Sequence, residues 1–449
     1  MELSKVINKE TVKFPYIDKA VEIFKLENGH TIVLANKQGD LANISTWVKT
    51  GSLNEDDSIT GISHFLEHLM FKGTPSHPAG EFDRFLEAKG AIVNAATWKD
   101  YTFYYVTLPS GENNQYLKEA IELHGDMMIN SIIPEEEIGP AFDIKNPVVE
   151  EKRERAVVLE EINMRDDNHW TTTYDAMNEL MYQVHPYKRD VIGTAEVIAS
   201  VSRETIMNYY KKWYTPDNMI TIAVGDFDTE EILGHIRKNF VFEEVKSAGK
   251  QTYPQELEQK KPKYAENTKK DINTGFLLMG FHGPKPVNVA ENISADILST
   301  VLGEGKSSRL YQNLIEKQQE QIFNVAGATQ YEFKEGNVFL IQANFMPEKK
   351  DEALELLKTE LRKIVDQPIS EKELEKAKKK LKVGFAEEAE TVSEIGEAIG
   401  HCLTVCEDIS CHTDYLKTLD TLNVEFVQKT AKKYLSPNKA TISILIPGE

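Results

Sequence analysis

Only three cysteines occur in the 449 residues, and all three lie close together near the C-terminus, at Cys402, Cys406 and Cys411. Such sparse and local use of cysteine excludes a small secreted scaffold held together by disulfides. His401 and His412 flank the three thiols, so a second metal site is one interpretation, although the spacing matches no standard zinc-finger pattern. A purely structural role for the thiols is the alternative.

Long apolar runs and a basic excess are also missing. No stretch of about eighteen apolar residues occurs, so we expect no membrane-spanning helix. The N-terminal residues contain no apolar core typical of a signal peptide, which predicts a cytoplasmic protein, or a periplasmic one if a signal has been removed. The 72 acidic residues outnumber the 52 basic ones and give a formal net charge of −20. A nucleic-acid partner, which usually requires a basic patch, is therefore not expected.

The length and the order of predicted elements favour an α+β protein with two domains. A chain of 449 residues is too long for one ordinary hydrophobic core. Strand-like and helix-like segments alternate, give way to a stretch rich in Lys, Glu, Gln and Pro, and then resume. We predict an N-terminal α+β domain at 1–242 that carries the metal site, a linker at 243–272, and a C-terminal α+β domain at 273–449 without such a site. Each domain is expected to contain an antiparallel-rich sheet flanked by helices.

A similarity between two segments of the chain indicates that the two domains are related. The sequence WYTPDN at 213–218 leads into the apolar segment MITIAVGD, and KYLSPN at 433–438 leads into KATISILIPG. Both combine a helix end, a tyrosine, a proline turn and a final strand. This similarity predicts the duplication of a large domain and not a repeat of short period.

Two histidines and a glutamate form the most informative short motif. His64, Glu67 and His68 lie in GISHFLEHLMF, whose apolar residues recur at helical spacing. Histidines four residues apart share one helix face and can reach a single ion. Zinc accepts neutral imidazoles, lowers the pKa of its water toward about 7, and needs a carboxylate to accept the proton. This H-x-x-E-H pattern is the inverted-zincin signature; the alternative is an amphipathic helix with two surface histidines.

A third ligand is expected from a carboxylate elsewhere in the chain. The segment KRERAVVLEEINM predicts a helix on which Glu154 and Glu161, seven positions apart, share one face. Glu160 points about 100° away from that face. The apolar run AVVL indicates partial burial, and a carboxylate beside buried positions needs a partner such as a metal. The alternative is a charged, solvated helix.

Further segments extend the motif over nearly the whole chain: GAIVNAATWKDYTFYYVTLP (90–109), ERAVVLEEI (154–162), HPYKRDVIGT (185–194), WYTPDNMITIAVGD (213–226) and LGEGKSSRLYQNLIEK (302–317). Together with GISHFLEHLMFKGT (61–74), they resemble the pitrilysin/insulinase metallopeptidases, and within them the small-subunit branch of the mitochondrial processing peptidase and its bacterial relatives. The resemblance implies two similar α+β domains that enclose a chamber with a second subunit, and a zinc-dependent endopeptidase acting on short or unfolded peptides.

The resemblance also implies specific roles in the first half of the chain. His64, His68 and Glu161 would bind one zinc ion per chain, and Glu67 would be the general base. Glu154 would orient the site from beside the ligands.

A strand edge is implied as the binding site for substrate. Asn94, Ala95 and Thr97 match the segment with which the family pairs an extended peptide. An exposed edge can bind such a peptide through main-chain hydrogen bonds without requiring a particular sequence.

The chain departs from the family pattern in two places. An apparent insertion, PEEEIGPAFDIKNPVVEE at 134–151, lengthens the interval between His68 and Glu161, which a loop can absorb at low entropic cost. The family also uses an Arg and a Tyr from a C-terminal domain to bind substrate, and Ile315 and Phe323 stand at the aligned positions.

Neither isoleucine nor phenylalanine can donate a side-chain hydrogen bond. We therefore predict a heterodimer with a homologous subunit that lacks the zinc motif and carries the Arg/Tyr pair. A homodimer is the alternative, as is substitution by Arg309 or Tyr311 of this chain. A non-catalytic scaffold subunit and a small-molecule hydrolase are the competing functions. GEGKSS at 303–308 is interpreted as a turn into a helix, because Thr300 replaces the first glycine of a phosphate-binding loop.

Overall fold

The structure is a computed structural model that describes residues 3–17, 19–144, 153–243, 247–270 and 272–448. Within them lie twelve strands: β1 Val6–Val12, β2 Val21–Leu26, β3 Thr31–Asn36, β4 Leu41–Val48, β5 Ile92–Thr97, β6 Thr102–Pro109, β7 Met219–Gly225, β8 Lys263–Lys269, β9 Gly275–His282, β10 Phe323–Tyr331, β11 Val338–Phe345 and β12 Thr441–Pro447.

The same residues contain sixteen α-helices: α1 Ile62–Met70, α2 Glu81–Glu87, α3 Gln115–Asn130, α4 Glu135–Ile138, α5 Glu154–Asp166, α6 His169–Met181, α7 Ala195–Ser200, α8 Arg203–Trp213, α9 Thr229–Asn239, α10 Val289–Gly303, α11 Lys350–Asp366, α12 Glu371–Glu387, α13 Val392–His401, α14 Ser410–Thr413, α15 Tyr415–Thr421 and α16 Val424–Tyr434. Two further turns are π-helical, Tyr311–Glu316 and Cys402–Cys406. Among the described residues, no helix combines the length and apolar character needed to cross a membrane.

The strands form two sheets. The first has seven strands in the order β1-β2-β3-β7-β4-β6-β5, and the second has five in the order β10-β11-β9-β12-β8. Neighbouring strands are antiparallel except for β3 with β7 and β12 with β8, which are parallel. The prediction of an α+β fold with antiparallel-rich sheets is confirmed.

The two sheets share one topology, which confirms the predicted duplication. The series β3-β7-β4-β6-β5 corresponds strand by strand to β8-β12-β9-β11-β10. In each series, the strand that follows a proline turn, at Pro216–Asn218 or Pro437–Lys439, lies between a parallel and an antiparallel neighbour. Strands β1 and β2 are additions to the first sheet.

Strand β8 lies inside the segment 243–272 that the sequence predicts to be a linker. Its polar side chains are mostly exposed, and it forms the outer edge of the second sheet through pairing with β12. Because main-chain hydrogen bonds hold this edge strand, it needs no apolar run, and the composition of the segment did not reveal it. The apparent insertion at 134–151 falls partly outside the described residues; its described part includes α4.

Two compact units make up the described chain, and each is discontinuous in sequence. The first runs to Asn163 and adds Arg189–Thr252 and Ala386–Thr413. The second comprises Met164–Lys188, Tyr253–Phe385 and the part from Asp414 onward. Residues 164–188 thus belong to the second unit and residues 386–413 to the first, so the two halves of the sequence exchange a segment. The predicted boundaries at 1–242 and 273–449 do not include this exchange.

Each exchanged segment covers one face of a sheet, which gives the physical reason for the exchange. Along β3, Ile32 and Leu34 pack into the cluster that contains α1, and Val33 and Ala35 pack into another that contains α13. The first sheet is therefore apolar on both faces, which accounts for its nearly continuous apolar strands.

The second sheet is also covered on both faces. Its main core includes Leu277 and Ile341, and on the opposite face Met177 of α6 packs against Leu278 and Leu340. Helix α6 thus covers the second sheet and α13 covers the first. Each sheet buries its second face under a helix from the other half of the sequence.

Candidate active site

Helix α1 carries both histidines of the H-x-x-E-H motif on one face. The rings of His64 and His68 lie with their centroids 4.8 Å apart. Ile62, Phe65, Leu66 and Leu69 are fully buried in the core of the first unit. These apolar residues fix the rotation of α1 and so determine the direction in which the two imidazoles point.

The start of α1 is held by Glu55, which the sequence did not single out. The buried carboxylate of Glu55 accepts hydrogen bonds from the N–H groups of Gly61, at 2.8 Å, and Ser63, at 2.9 Å. Burial raises the pKa of Glu55 to about 7, while the hydrogen bonds with Ser63 and Gly61 act in the opposite direction. An acidic residue shortly before a predicted helix start is the sequence feature that could have suggested this cap.

Helix α5 brings a carboxylate to the two histidines. Glu161 Oε2 lies 3.7 Å from His64 Nε2 and 3.6 Å from His68 Nε2. One ligand-type atom from each of the three residues lies within 4.8 Å of the others. Ligand atoms of a tetrahedral zinc site with bonds of about 2.0–2.1 Å are separated by roughly 3.3 Å. The three side chains therefore fit a zinc ion after only a small inward movement, whereas Glu160 is exposed.

Glu154 supports His68 from the side opposite Glu161. Its Oε2 accepts the hydrogen bond of His68 Nδ1 at 3.1 Å, and its Oε1 lies 2.7 Å from Lys72 Nζ. Burial raises the pKa of Glu154, but the bonds to His68 and Lys72 outweigh it and the net pKa is lowered. This arrangement fixes the tautomer that leaves the Nε2 lone pair of His68 available for a metal. Lys72, one turn beyond His68, was not foreseen.

The two histidines differ in their proton affinity. Burial lowers the pKa of His64 to about 3, and the neighbouring His68 acts in the same direction. Burial also lowers the pKa of His68, but the hydrogen bond to Glu154 and the charge of Glu161 outweigh it, so that the net pKa is raised. His64 is therefore neutral near pH 7, as metal ligation requires.

Glu67 lies between the histidines in sequence and is 9% exposed. The Thr97 hydroxyl donates a hydrogen bond of 2.5 Å to Glu67 Oε2. Burial raises the pKa of Glu67, and the Thr97 bond and the charge of His68 oppose this only in part. Thr97 is the last residue of β5, so one hydrogen bond joins this carboxylate to the edge of the first sheet.

Strand β5 carries the other two predicted substrate-binding residues. It lies at the edge of the first sheet and pairs with β6, with Asn94 opposite Tyr105 and Ala95 opposite Tyr104. The N–H of Ala95 is bound by the side chain of Asn94 at 2.9 Å. The Trp98 N–H bonds to the Tyr101 carbonyl where β5 turns into β6. Because hydrogen bonding alternates along an antiparallel ladder, the Ala95 N–H, three residues earlier, lies on the outer side of the strand.

In the second unit, the two residues that we predict to stand at the family's Arg and Tyr positions are apolar and packed. Phe323 is 1% exposed, and Ile315 packs against the core of that unit. Arg309 forms two hydrogen bonds with the Glu373 carboxylate, of 2.7 and 3.0 Å. The alternative donor Arg309 is thus engaged within its own unit.

Comparison with known proteins agrees with this fold and motif. The family profile described as Insulinase (Peptidase family M16) matches residues 31–195, and the one described as Peptidase M16 inactive domain matches residues 200–381. The chain belongs to the M16 peptidases, the pitrilysin/insulinase family. His64, His68 and Glu161 all lie within the first of the two matches.

Individual relatives cover nearly the whole chain. The zinc protease PqqE of Helicobacter pylori is 29% identical over 435 residues, which are 95% of this chain and 93% of that protein. The crystal structure of a protease from Helicobacter pylori superimposes with a TM-score of 0.83 at 27% identity, covering 95% of this chain and 99% of that one. The periplasmic protease PqqL of Escherichia coli shares the fold with a TM-score of 0.76 at 20% identity, covering 98% of this chain but 48% of PqqL. About half of the PqqL chain therefore corresponds to this fold.

Proposed function

We propose that this chain is the zinc-bearing subunit of an endopeptidase that cleaves short or unfolded peptides. The observation that carries the proposal is the convergence of His64, His68 and Glu161 beside a largely buried Glu67. Two imidazoles and one carboxylate are a ligand set of catalytic zinc sites, which keep a further position open.

These three side chains would hold one zinc ion per chain at this site. Zinc bound there would supply a Lewis acid that polarises a peptide carbonyl and lowers the pKa of water toward about 7. The neutral His64 and the Glu154-oriented His68 present their Nε2 atoms toward Glu161, and this orientation prepares the site for the ion.

Glu67 is the proposed general base. Thr97 holds its Oε2, which leaves Oε1 to accept the proton of the attacking water and to pass it to the leaving amine nitrogen. The pKa of Glu67 is raised toward the neutral pH range, which suits a group that both accepts and donates a proton. Glu154 acts through His68 and is a positioning residue.

The edge of β5 is the proposed binding site for the peptide. The outward N–H of Ala95 can bond to an extended main chain once the Asn94 side chain moves aside. Thr97 at the end of the same edge would place the peptide next to Glu67. Main-chain recognition of this kind suits unfolded substrates of varied sequence.

A second subunit is part of the proposal. The apolar Ile315 and Phe323 offer no hydrogen-bond donor, and Arg309 is bound by Glu373. A homologous subunit without the zinc motif but with an Arg/Tyr pair would complete the site and enclose a chamber with this chain; a homodimer is the alternative. The two-fold length of PqqL relative to this fold is consistent with such pairing.

A non-catalytic scaffold subunit is the competing function. The match to the inactive-domain profile covers residues 200–381, but the candidate metal set lies outside it, between His64 and Glu161. A scaffold has no need for this complete set.

The cytoplasmic location stays a prediction.

Metal analysis of two neighbouring variants tests the site. Glu161→Gln should lower the zinc content of the purified chain by about one equivalent, because one such site binds one ion. Glu160→Gln, which changes an exposed carboxylate one position away, is the matched control and should leave the content unchanged. The reverse result would remove Glu161 from the ligand set.

A further inference from the structure

The three cysteines of the chain converge in the first unit. One Sγ atom from each of Cys402, Cys406 and Cys411 lies within 4.8 Å of the others, and the Cys411 thiol donates to Cys402 Sγ at 2.7 Å. Among the described residues, the only other group of three with this metal-binding geometry is that of His64, His68 and Glu161.

The local fold builds this cluster by two uncommon backbone features. Helix α13 runs into the π-helical turn Cys402–Cys406, and π-helical turns are rare and often found at functional sites. Glu407 follows with a φ of 59°, a left-handed conformation that non-glycine residues seldom adopt. The chain reverses there, so that α14 returns Cys411 to the other two thiols.

The surroundings of the cluster are largely apolar. Cys402 and Cys406 are 5% and 6% exposed, and the adjacent Val405 and Ile409 belong to the apolar cluster under the first sheet. Thiolate in such a place needs a compensating charge, and a bound cation supplies one.

We propose that Cys402, Cys406 and Cys411 together bind a thiophilic cation, Zn²⁺, as a structural site separate from the one in α1. Zinc–sulfur bonds of about 2.3 Å place neighbouring sulfurs roughly 3.8 Å apart in a tetrahedral site. The Cys411–Cys402 separation of 2.7 Å would have to open by about 1 Å to reach this value, and the other sulfur–sulfur separations are no longer than 4.8 Å. Each thiol gives up its proton to solvent as its sulfur joins the metal, and a fourth position is left for water or a nearby imidazole.

The ion would join the end of α13 to α14 within the exchanged segment 386–413, which belongs to the first unit. Helix α13 packs on β4 and β7 so closely that a Cβ added at Gly400 would lie 2.0 Å from the Trp47 ring. The cysteines follow immediately and tie the end of α13 to α14. A metal that binds only the folded segment stabilises it by an amount that rises with the logarithm of the affinity.

The test measures metal at the thiol site with the α1 site removed. Full-length protein carrying His64→Ala and His68→Ala should retain about one zinc per chain, since one such site binds one ion. Adding Cys406→Ser or Cys411→Ser should abolish this zinc, together with the ultraviolet thiolate-to-metal band seen when cadmium is the probe. Ser410→Ala on the same double variant is the matched control and should keep both.

Thiol protection gives a second readout that needs no cysteine variant. Zinc should protect the three thiols of the folded double variant from alkylation, and a chelator should remove the protection. Free alkylation of the zinc-treated protein, with neither zinc nor cadmium retained, would overturn the proposal. So would an intact mass two hydrogens lower than expected, which shows a disulfide between two of these cysteines in place of a metal site. Failure of the α1 site would instead appear as equal zinc contents in the double variant and the wild type.

Discussion

At the scale of single residues, the hydrogen bond between Thr97 and Glu67 controls when the proposed base is ionised. The base works only as a carboxylate, so activity is lost as pH falls through its pKa. Burial raises that pKa and the Thr97 bond lowers it. Removal of the hydroxyl should therefore move the acidic limb of the kcat/KM profile to higher pH.

Thr97→Val tests this relation, with Thr97→Ser as the control that keeps the hydroxyl. The pH dependence of kcat/KM for a model peptide should shift upward on its acidic side in the valine variant and stay in place in the serine variant. Identical acidic limbs in all three proteins would show that Thr97 does not act on the catalytic carboxyl.

Glu154 offers a second prediction at this scale, about metal affinity. Removing a partner that orients a ligating histidine typically weakens metal binding by about 10–100-fold. Glu154→Ala should show a loss of this size in zinc competition with a chelator, since His68 Nδ1 then loses its acceptor. Glu160→Ala should bind zinc as the wild type does. Unchanged affinity in Glu154→Ala would leave this residue a role in packing alone.

The sequence predicted some of these residues more directly than others. The spacing of His64 and His68 was sufficient to place them on one helix face, whereas the choice of Glu161 required the family resemblance. The sequence did not predict the roles of Glu55 and Lys72, because these roles depend on three-dimensional contacts that the sequence pattern does not show.

At the scale of elements, the position of α1 depends on a close approach between two glycines. Gly193 has a φ of 78°, and a Cβ there would lie 2.2 Å from the Thr60 carbonyl oxygen and 2.5 Å from Gly61. Gly80 has nearly the same φ, 76°, but no atom within 4 Å of an added Cβ. A comparison of substitutions at Gly193 and Gly80 therefore separates the steric effect of an added Cβ from the backbone preference for glycine.

Both alanine variants incur the left-handed penalty of about 1–2 kcal/mol. Gly193→Ala should lose a further amount on the order of 1–3 kcal/mol in the free energy of unfolding, and it should also bind zinc less tightly because the start of α1 moves. Chemical denaturation and zinc competition measure the two effects. Equal losses in Gly193→Ala and Gly80→Ala would contradict the packing argument.

A buried polar chain across the first sheet predicts sensitivity to acid. His30 Nε2 bonds to Thr221 at 2.9 Å, Thr221 to Thr46 at 3.1 Å, and Thr46 to His124 Nε2 at 3.0 Å. Burial lowers the pKa of each histidine to about 3. The unfolded chain takes up these protons below pH about 6.5 while the folded chain does not, so folding stability present above that pH is lost toward pH 3.

The loss should approach roughly 1.4 kcal/mol per pH unit for each histidine well below pH 6.5. His124→Gln keeps a group able to bond to Thr46 but cannot titrate. Its unfolding free energy should fall less steeply between pH 6.5 and 4.5 than that of the wild type. Parallel slopes for the two proteins in urea denaturation would argue against a titrating His124.

The elements themselves were largely predictable: apolar residues at helical spacing marked α1, strong helix formers marked α5, and short apolar runs marked β7 and β12. Strand β8 was missed because an exposed edge strand held by main-chain bonds has no apolar pattern. The exchange of 164–188 and 386–413 was missed for another reason. The apolar face of a helix such as α6 indicates that the helix packs against a sheet. It does not indicate which of two similar sheets the helix covers.

At the scale of the whole molecule, the proposed active site is completed by a second, different subunit. The purified chain should cleave unfolded peptides slowly, and a homologous chain carrying Arg and Tyr should raise the rate by about 10²-fold or more, the usual effect of a transition-state donor. A partner with its Arg replaced by Ala is the control and should bind without restoring the rate. Full activity of the chain alone would identify a donor pair within this sequence instead.

The central claim is that zinc held in α1 and α5 acts together with Glu67 in peptide hydrolysis. It is tested most directly by cleavage of an unfolded peptide by the wild type and by Glu67→Gln, each with its zinc content measured and with the complementary subunit present. We predict that Glu67→Gln keeps its zinc and loses nearly all hydrolysis, because no group then accepts the proton of water. Hydrolysis by the zinc-loaded Glu67→Gln variant at the wild-type rate would contradict the account.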